Sequence, residues 1–193
     1  MLSCKSKDSS PLLNDNFEAI YQQFHGKYKI VSSVSSEPLD INLDGSSSSD
    51  LLTEIDELTT GTLTSPYLQI AINRSSKVNV KPSYLFIQAW PEQFVRMGSG
   101  KVWDGTEMIP FHPDYSFAYD MKVVFREFEF SKDRKNLTVK IDDSEKPLFS
   151  QSAPNTVTVL NDGKLVVVAN RKIYTSLGVK QVTVTTTTND LPG

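Results

Sequence analysis

The sequence predicts a mostly β domain of antiparallel strands, and three observations carry that expectation. Runs of alternating apolar and polar residues recur from Lys27 onward, while helical spacing is confined to two short stretches near the start. An Asp162-Gly163 pair stands between two alternating runs, a strong short-range hairpin signal. The chain then closes on a Val/Thr alternation from Val179 to Thr187, a composition that suits a pleated, half-buried surface.

The elements follow in chain order. Residues 1–14 read as a flexible tether, with a polar Ser/Lys/Asp stretch from Lys5 to Pro11. Asp15 is placed to cap a short helix in which Phe17, Ile20, Tyr21 and Phe24 share a face, and His25-Gly26 ends it. From Lys27 the period drops to two, with Tyr28, Ile30 and Ser32 on one side. An acidic loop at 40–50 interrupts, and Asp50 caps a second helix, Leu51 to Leu58, whose Leu51, Leu52, Ile55 and Leu58 align. Tyr67 to Asn73 and Ser83 to Trp90 make a strand pair, and Pro91, lacking a donor, is expected to end the second. Residues 92–116, rich in Gly, Pro and aromatics, read as an irregular functional loop or lid.

Phe117 to Phe130 is a long strand whose apolar residues change phase near Arg126-Glu127, which predicts a bulge. A turn at Lys132 to Asn136 leads to Leu137 to Ile141. Thr156 to Leu160 and Lys164 to Tyr174 form a hairpin, expected to use a primed turn at Asn161-Asp162-Gly163. Eight or nine strands and two short helices result, in a single domain over residues 15–193. Such a succession buries one face and manages its edges by closing into a barrel or by stacking as a two-sheet sandwich.

Composition narrows the function. A chain of 193 residues with 38% hydrophobic content is long enough for one well-cored domain. A net charge of -3 and a pI near 5.4 supply no basic field, so nucleic acid is not an expected partner. No apolar run approaches the length of a membrane helix. Cys4 is the single cysteine, so no internal disulfide forms. Met1-Leu2-Ser3-Cys4 resembles the end of a bacterial lipoprotein signal, in which a small residue precedes the lipidated cysteine, although the basic and apolar regions of a signal are missing. That resemblance implies a domain anchored to the cell envelope through lipid at Cys4, periplasmic or surface-exposed; the alternative is a free thiol on a tail.

The loop Asp40-Ile41-Asn42-Leu43-Asp44-Gly45-Ser46 sets oxygen-bearing side chains at every second position before a glycine. Calcium takes several oxygen ligands from such a tight loop. Calcium is therefore an expected cofactor, held structurally by Asp40, Asn42, Asp44, the Ser46 carbonyl and Asp50, so that Asp44→Ala would lower stability in calcium only. The later half departs from a regulatory hand: Leu51 stands where a closing acid belongs, and Glu54 comes too late. The loop resembles the DxNxDG half of dockerin calcium sites. The competing reading is a solvated turn whose side chains bond their own backbone.

Gly26-Lys27-Tyr28-Lys29-Ile30, opening the first strand after a short helix, is similar to the Gly-x-Trp opening of lipocalins, with Tyr28 in place of tryptophan. With the DINLDG loop after strand one and a final strand near the C-terminus, the chain resembles lipocalin-like lipoproteins of Bacteroidetes over roughly residues 26–187. The resemblance implies an antiparallel lipocalin-like β-barrel that binds a small apolar molecule or glycan, with the sandwich as the alternative. Trp90, Trp103, Phe111 and Tyr115 are the candidate ligand-binding residues, since aromatics near a barrel mouth stack on sugars or line an apolar cavity; aromatics also fill cores. A filled barrel serving an envelope protein assembly is the alternative function. No catalytic residue is assigned. His25 and His112 lack a nucleophile in a recognisable motif, and Asp142-Asp143 and Glu127-Glu129 read as turn and solvated strand residues.

Overall fold

The computed structural model of the chain describes residues 12–60, 65–74, 81–98, 100–145 and 151–191. Cys4 lies outside them. The described residues form helix α1 (Leu12–Phe24), strands β1 (Gly26–Leu39) and β2 (Ser48–Asp50), helices α2 (Leu51–Glu54) and α3 (Glu57–Thr60), then strands β3 (Tyr67–Asn73), β4 (Ser83–Met97), β5 (Lys101–Val102), β6 (Ser116–Phe130), β7 (Asn136–Val139), β8 (Pro154–Val159), β9 (Leu165–Thr175) and β10 (Gly178–Leu191).

Eight strands close into an antiparallel barrel in the order β1-β3-β4-β6-β7-β8-β9-β10, with β2 and β5 as short additions. Closure comes from β10 lying on β1, from Lys27 opposite Leu191 to Ser35 opposite Val184. This closed barrel is consistent with a calycin-like fold; a two-sheet sandwich would leave those strands unpaired. A bulge between Ile30 and Ser32 lets β1 bury Tyr28 and Ile30 in one half and Ser33 and Ser35 in the other.

Several local expectations are corrected. The first helix begins at Leu12, so Asp15 lies within it. The second helix is two single turns, because Ile55 is extended, at φ -128° and ψ 95°. Pro91 does not end β4, and most of the expected irregular segment is strand: β4 pairs with β6 without interruption from Leu85 opposite Glu127 to Arg96 opposite Ser116. Pro91 is tolerated because β3 begins at Tyr67, opposite Ala89, so the β3 ladder does not reach Pro91. Val95, four residues on, turns its carbonyl away from β6 to accept from Trp103 N at 2.9 Å, so the Pro91 nitrogen faces that same unpaired side. The expected bulge at Arg126-Glu127 is absent, and the change of buried face in β6 falls at Met121-Lys122, opposite Pro91 and Trp90. Gly163 alone is left-handed in its hairpin (φ 85°), and its N–H donates to Leu160 O at 3.0 Å. The turn is thus a type I turn followed by a left-handed glycine, not a primed turn.

Three apolar clusters stack along the barrel. At one end α1 inserts Ile20 and Phe24 among Tyr28, Leu68, Ile70, Phe86, Phe128 and Leu165. Phe24 lies 4.6 Å from the Phe130 ring, the Tyr28 hydroxyl donates to Phe24 O at 2.7 Å, and Ile72 N donates to His25 Nδ1 at 3.0 Å. The middle cluster joins Ile41 from the loop after β1, and Leu51, Ile55 and Leu58 from the α2–α3 segment, to Ile30, Trp90, Ile173 and Val184. The third, at the far end, packs Val95, Met97, Trp103, Ile109, Tyr174 and Val179.

One side of the barrel is thin. β7 pairs β6 only at Phe128 to Phe130 and β8 only at Asn136 and Leu137. Above that point the residues after β7 and those between β5 and β6 cover the space between β6 and β9: Lys140 N donates to Glu127 O, Gln151 Nε2 to Gly105 O and Lys172 Nζ to Thr106 O.

Candidate functional site: the polar layer inside the barrel

Two inward positions on the strands bring arginine into the interior. Arg171 shares its parity on β9 with Val167 and Ala169, and Arg126 shares its parity on β6 with Phe128, so the pleat directs both guanidinium groups inward. Arg171 Nη1 meets Glu92 Oε1 at 3.0 Å, and its guanidinium lies 4.1 Å from the Trp90 ring centroid. Gln88, with its amide turned to satisfy both neighbours, accepts from Arg171 Nη2 at 3.0 Å and donates to Ser152 O at 2.9 Å. Arg126 grips Glu145 with two bonds of 2.9 and 2.8 Å and reaches Ser152 Oγ at 3.3 Å. Gln93 exchanges two hydrogen bonds with the Tyr174 backbone, at 3.0 and 2.7 Å. Buried charges persist only when paired and hydrogen-bonded, and this layer meets that condition for both arginines.

The space left among Trp90, Glu92, Gln93, Trp103, Tyr119 and Arg171 is ≈ 20 Å³, the size of a water. Among the described residues the Tyr119 hydroxyl is buried there without a hydrogen-bond partner. Burial raises its phenol well above the ordinary tyrosine range, and Glu57, Glu54 and Asp56 push in the same direction.

The four predicted ligand residues separate. Trp90 and Trp103 are buried and both border this small space. Trp103 Nε1 donates to Glu107 O at 2.9 Å, which ties the segment before β6 to the barrel end. Phe111 is half-exposed and stacks on Tyr174 at 6.2 Å, while Tyr115 stacks on His112 at 5.0 Å. The last two cap the third cluster from outside and do not border the internal space.

The predicted calcium residues also separate. Asn42 and Asp44 are exposed and close turns on their own backbone: Asp44 N donates to Asn42 Oδ1 at 3.0 Å and Ser46 N to Asp44 Oδ1 at 2.7 Å. Leu43 and Gly45 take left-handed conformations (φ 60° and 88°) to allow this. Asp50 caps α2, accepting from Leu52 N at 3.0 Å. Asp40 alone is buried, with its backbone carbonyl accepting from Ser176 N at 3.0 Å. Among the described residues no three acidic, histidine or cysteine side chains gather around one centre. Glu54, discounted from sequence spacing, is buried and closes the loop from within, accepting from Ile41 N at 2.8 Å.

His112 Nδ1 accepts from Asp114 N at 3.2 Å. Glu127 and Glu129 lie at the surface beside Lys140, whose hydrogen bond holds the Glu129 carboxyl below its ordinary value. Asp142 bonds Ser144 in a turn, which lowers it likewise. The interior residues that sequence reasoning missed, Arg171, Arg126, Glu92, Gln88 and Gln93, left one legible signal: polar residues at inward parity within long strand patterns. The chain matches no protein-family model, no curated protein and no solved structure.

Proposed function

We propose that this chain is a filled lipocalin-like barrel serving as a structural or interaction subunit of a cell-envelope assembly, not as a carrier with an open internal cup. The observation behind this reading is the Arg171–Glu92 pair under Trp90, which spans the interior at mid-height and leaves ≈ 20 Å³ beside it. Ligand cavities for small organic molecules run to roughly 300–1,000 Å³, more than ten times that space. An apolar ligand would also have to displace an ion pair whose partners cannot be rehydrated inside the barrel. In this reading Trp90 and Trp103 are packing residues, and lipid at Cys4 would tether the domain to the membrane where its partner resides.

Native mass spectrometry of the protein purified from its source tests the proposal. The expected spectrum shows the polypeptide, with a diacylglyceryl-type mass addition at Cys4, and no stoichiometric small molecule inside. A retained fatty acid, isoprenoid or oligosaccharide that survives gentle desolvation, and is lost in Trp90→Ala, would establish a carrier instead.

A further inference from the structure

The two ends of the barrel differ in charge and in relief. β1 runs from the α1 end to the loop at 40–47, and the β9–β10 turn shares that second end, where Ser176 N donates to Asp40 O at 3.0 Å. Leu177, in that turn, is 76% exposed, and Met108 and Phe111 nearby are 56% and 41% exposed. Val179 N donates to Ile109 O at 2.8 Å, so the 108–111 segment lies against the turn. Apolar side chains grouped at a surface mark a place of contact. The charge at this end is negative. Residues 37–57 hold seven acids and no lysine or arginine, and Asp114 adds another; Lys180 opposes them, while Lys101 is matched by Glu107 at 3.7 Å.

The α1 end is the converse. Between the β6–β7 and β8–β9 turns lies a hollow of ≈ 640 Å³, lined by Phe24, Val159 and Leu160 and rimmed by Lys132, Arg134 and Lys135. Asp133 also stands on the rim, its carboxylate tied to Ser131 Oγ at 2.6 Å and Lys135 N at 3.2 Å. Lys164 pairs with Asp162, Glu18 on α1 accepts from Gln22, and Arg74 and Lys81 lie between β3 and β4, so the balance is positive. We propose that the chain assembles head to tail with further copies of itself, the Leu177–Phe111 knob of one copy seated in the Lys132–Lys135 hollow of the next. An apolar knob among acids fits an apolar hollow rimmed by cations, and opposite charge steers the two together. Because the two surfaces differ, the contact is heterologous and does not close on itself at two copies. It rests on the subunit reading above and makes a second copy of the chain the partner.

Sedimentation velocity of the full chain at rising concentration tests this. At low salt the average mass should climb past that of a dimer, and about 1 M sodium chloride, where the screening length is roughly 3 Å, should weaken association on the order of tenfold. Leu177→Lys and the double variant Lys132→Glu with Lys135→Glu should each stay monomeric with unchanged Tm, since all three positions are exposed. An equal mixture of the two variants should associate again, because each retains the surface that the other lacks. A wild type monomeric at every concentration, a mass that stops at the dimer, or a mixture as monomeric as its parts would each overturn the proposal. So would a monomeric wild type that co-sediments with phosphatidylglycerol vesicles, which assigns the hollow to a membrane surface. Monomers that still retain no small molecule would sink this contact alone and leave the filled barrel standing.

Discussion

Arg171 and Glu92 show what a buried pair contributes and what it costs. Both side chains are nearly out of solvent. Arg171→Met alone leaves Glu92 without its counter-charge and should lose about 3–5 kcal/mol in urea unfolding. The double variant Glu92→Leu with Arg171→Met should recover most of that loss, since a hydrophobic replacement removes the charge that suffers; a double variant as unstable as the single one would contradict the account. Tyr119 makes the opposite case. Its folded-state pKa is raised, first by burial and then by the acids of the α2–α3 segment, so the fold favours the neutral phenol. The stability tied to that preference is fully present below about pH 10, the ordinary tyrosine value, and falls as pH rises above it. Tyr119→Phe should therefore gain about 1 kcal/mol at neutral pH by removing an unpartnered hydroxyl, and should flatten the alkaline loss, as read from denaturant midpoints at about pH 8 and about pH 11. The inward parity of Arg171 was legible in the sequence, but its partner was not: Glu92 is 79 residues away, and only the barrel brings them together.

At the scale of elements, two glycine turns of the same conformation predict different outcomes. Gly163 and Gly178 have φ of 85° and 87°. Nothing lies within 4 Å of a Cβ built on Gly163, whereas one on Gly178 would stand 2.6 Å from Ile109 O and 2.8 Å from Phe111 N. Gly163→Ala should thus cost about 1 kcal/mol, from conformation alone, and Gly178→Ala distinctly more, because the β9–β10 turn would lose its seat on the 109–111 backbone. Equal losses in chemical unfolding would show that the seat contributes nothing. The terminal helix is a similar case of an element made by its contacts. Phe24→Ala removes the ring that α1 places against Phe130 and should cost about 3–5 kcal/mol. Helical spacing announced α1 correctly, but it overextended α2. At Ile55 the chain leaves the helix, while Glu54 holds the Ile41 N–H and Ile55 itself enters the core. That break answers to a partner outside the segment, which no local pattern encodes.

For the whole molecule, the decisive contact is the seam between β1 and β10, which joins residues up to 164 positions apart, Lys27 to Leu191. A closed barrel has no exposed edges, so losing one strand creates two. Truncation after Thr175 should leave a chain without cooperative unfolding, judged by near-ultraviolet circular dichroism and a lost thermal transition. A folded truncation would mean that the seam is dispensable. Hydrogen exchange should be slowest in β4 and β6, whose pairing is long and unbroken, and faster in β7 and β8, which share only two paired positions.

The sequence by itself determined the class of fold, the positions of most strands, the terminal helix and the turn-rich acidic loop, because alternation, helical spacing and glycine placement act over a few residues. Tertiary structure decided the rest. Closure into a barrel fixed which parity faces inward, allowed Pro91 to remain in strand where its nitrogen meets no partner, and gave Arg171 and Arg126 their carboxylates. It also drew Asp40 into the fold while leaving Asn42 and Asp44 at the surface. These outcomes depend on which distant residues share a volume, and burial and charge compensation are properties of that volume and not of any stretch of chain.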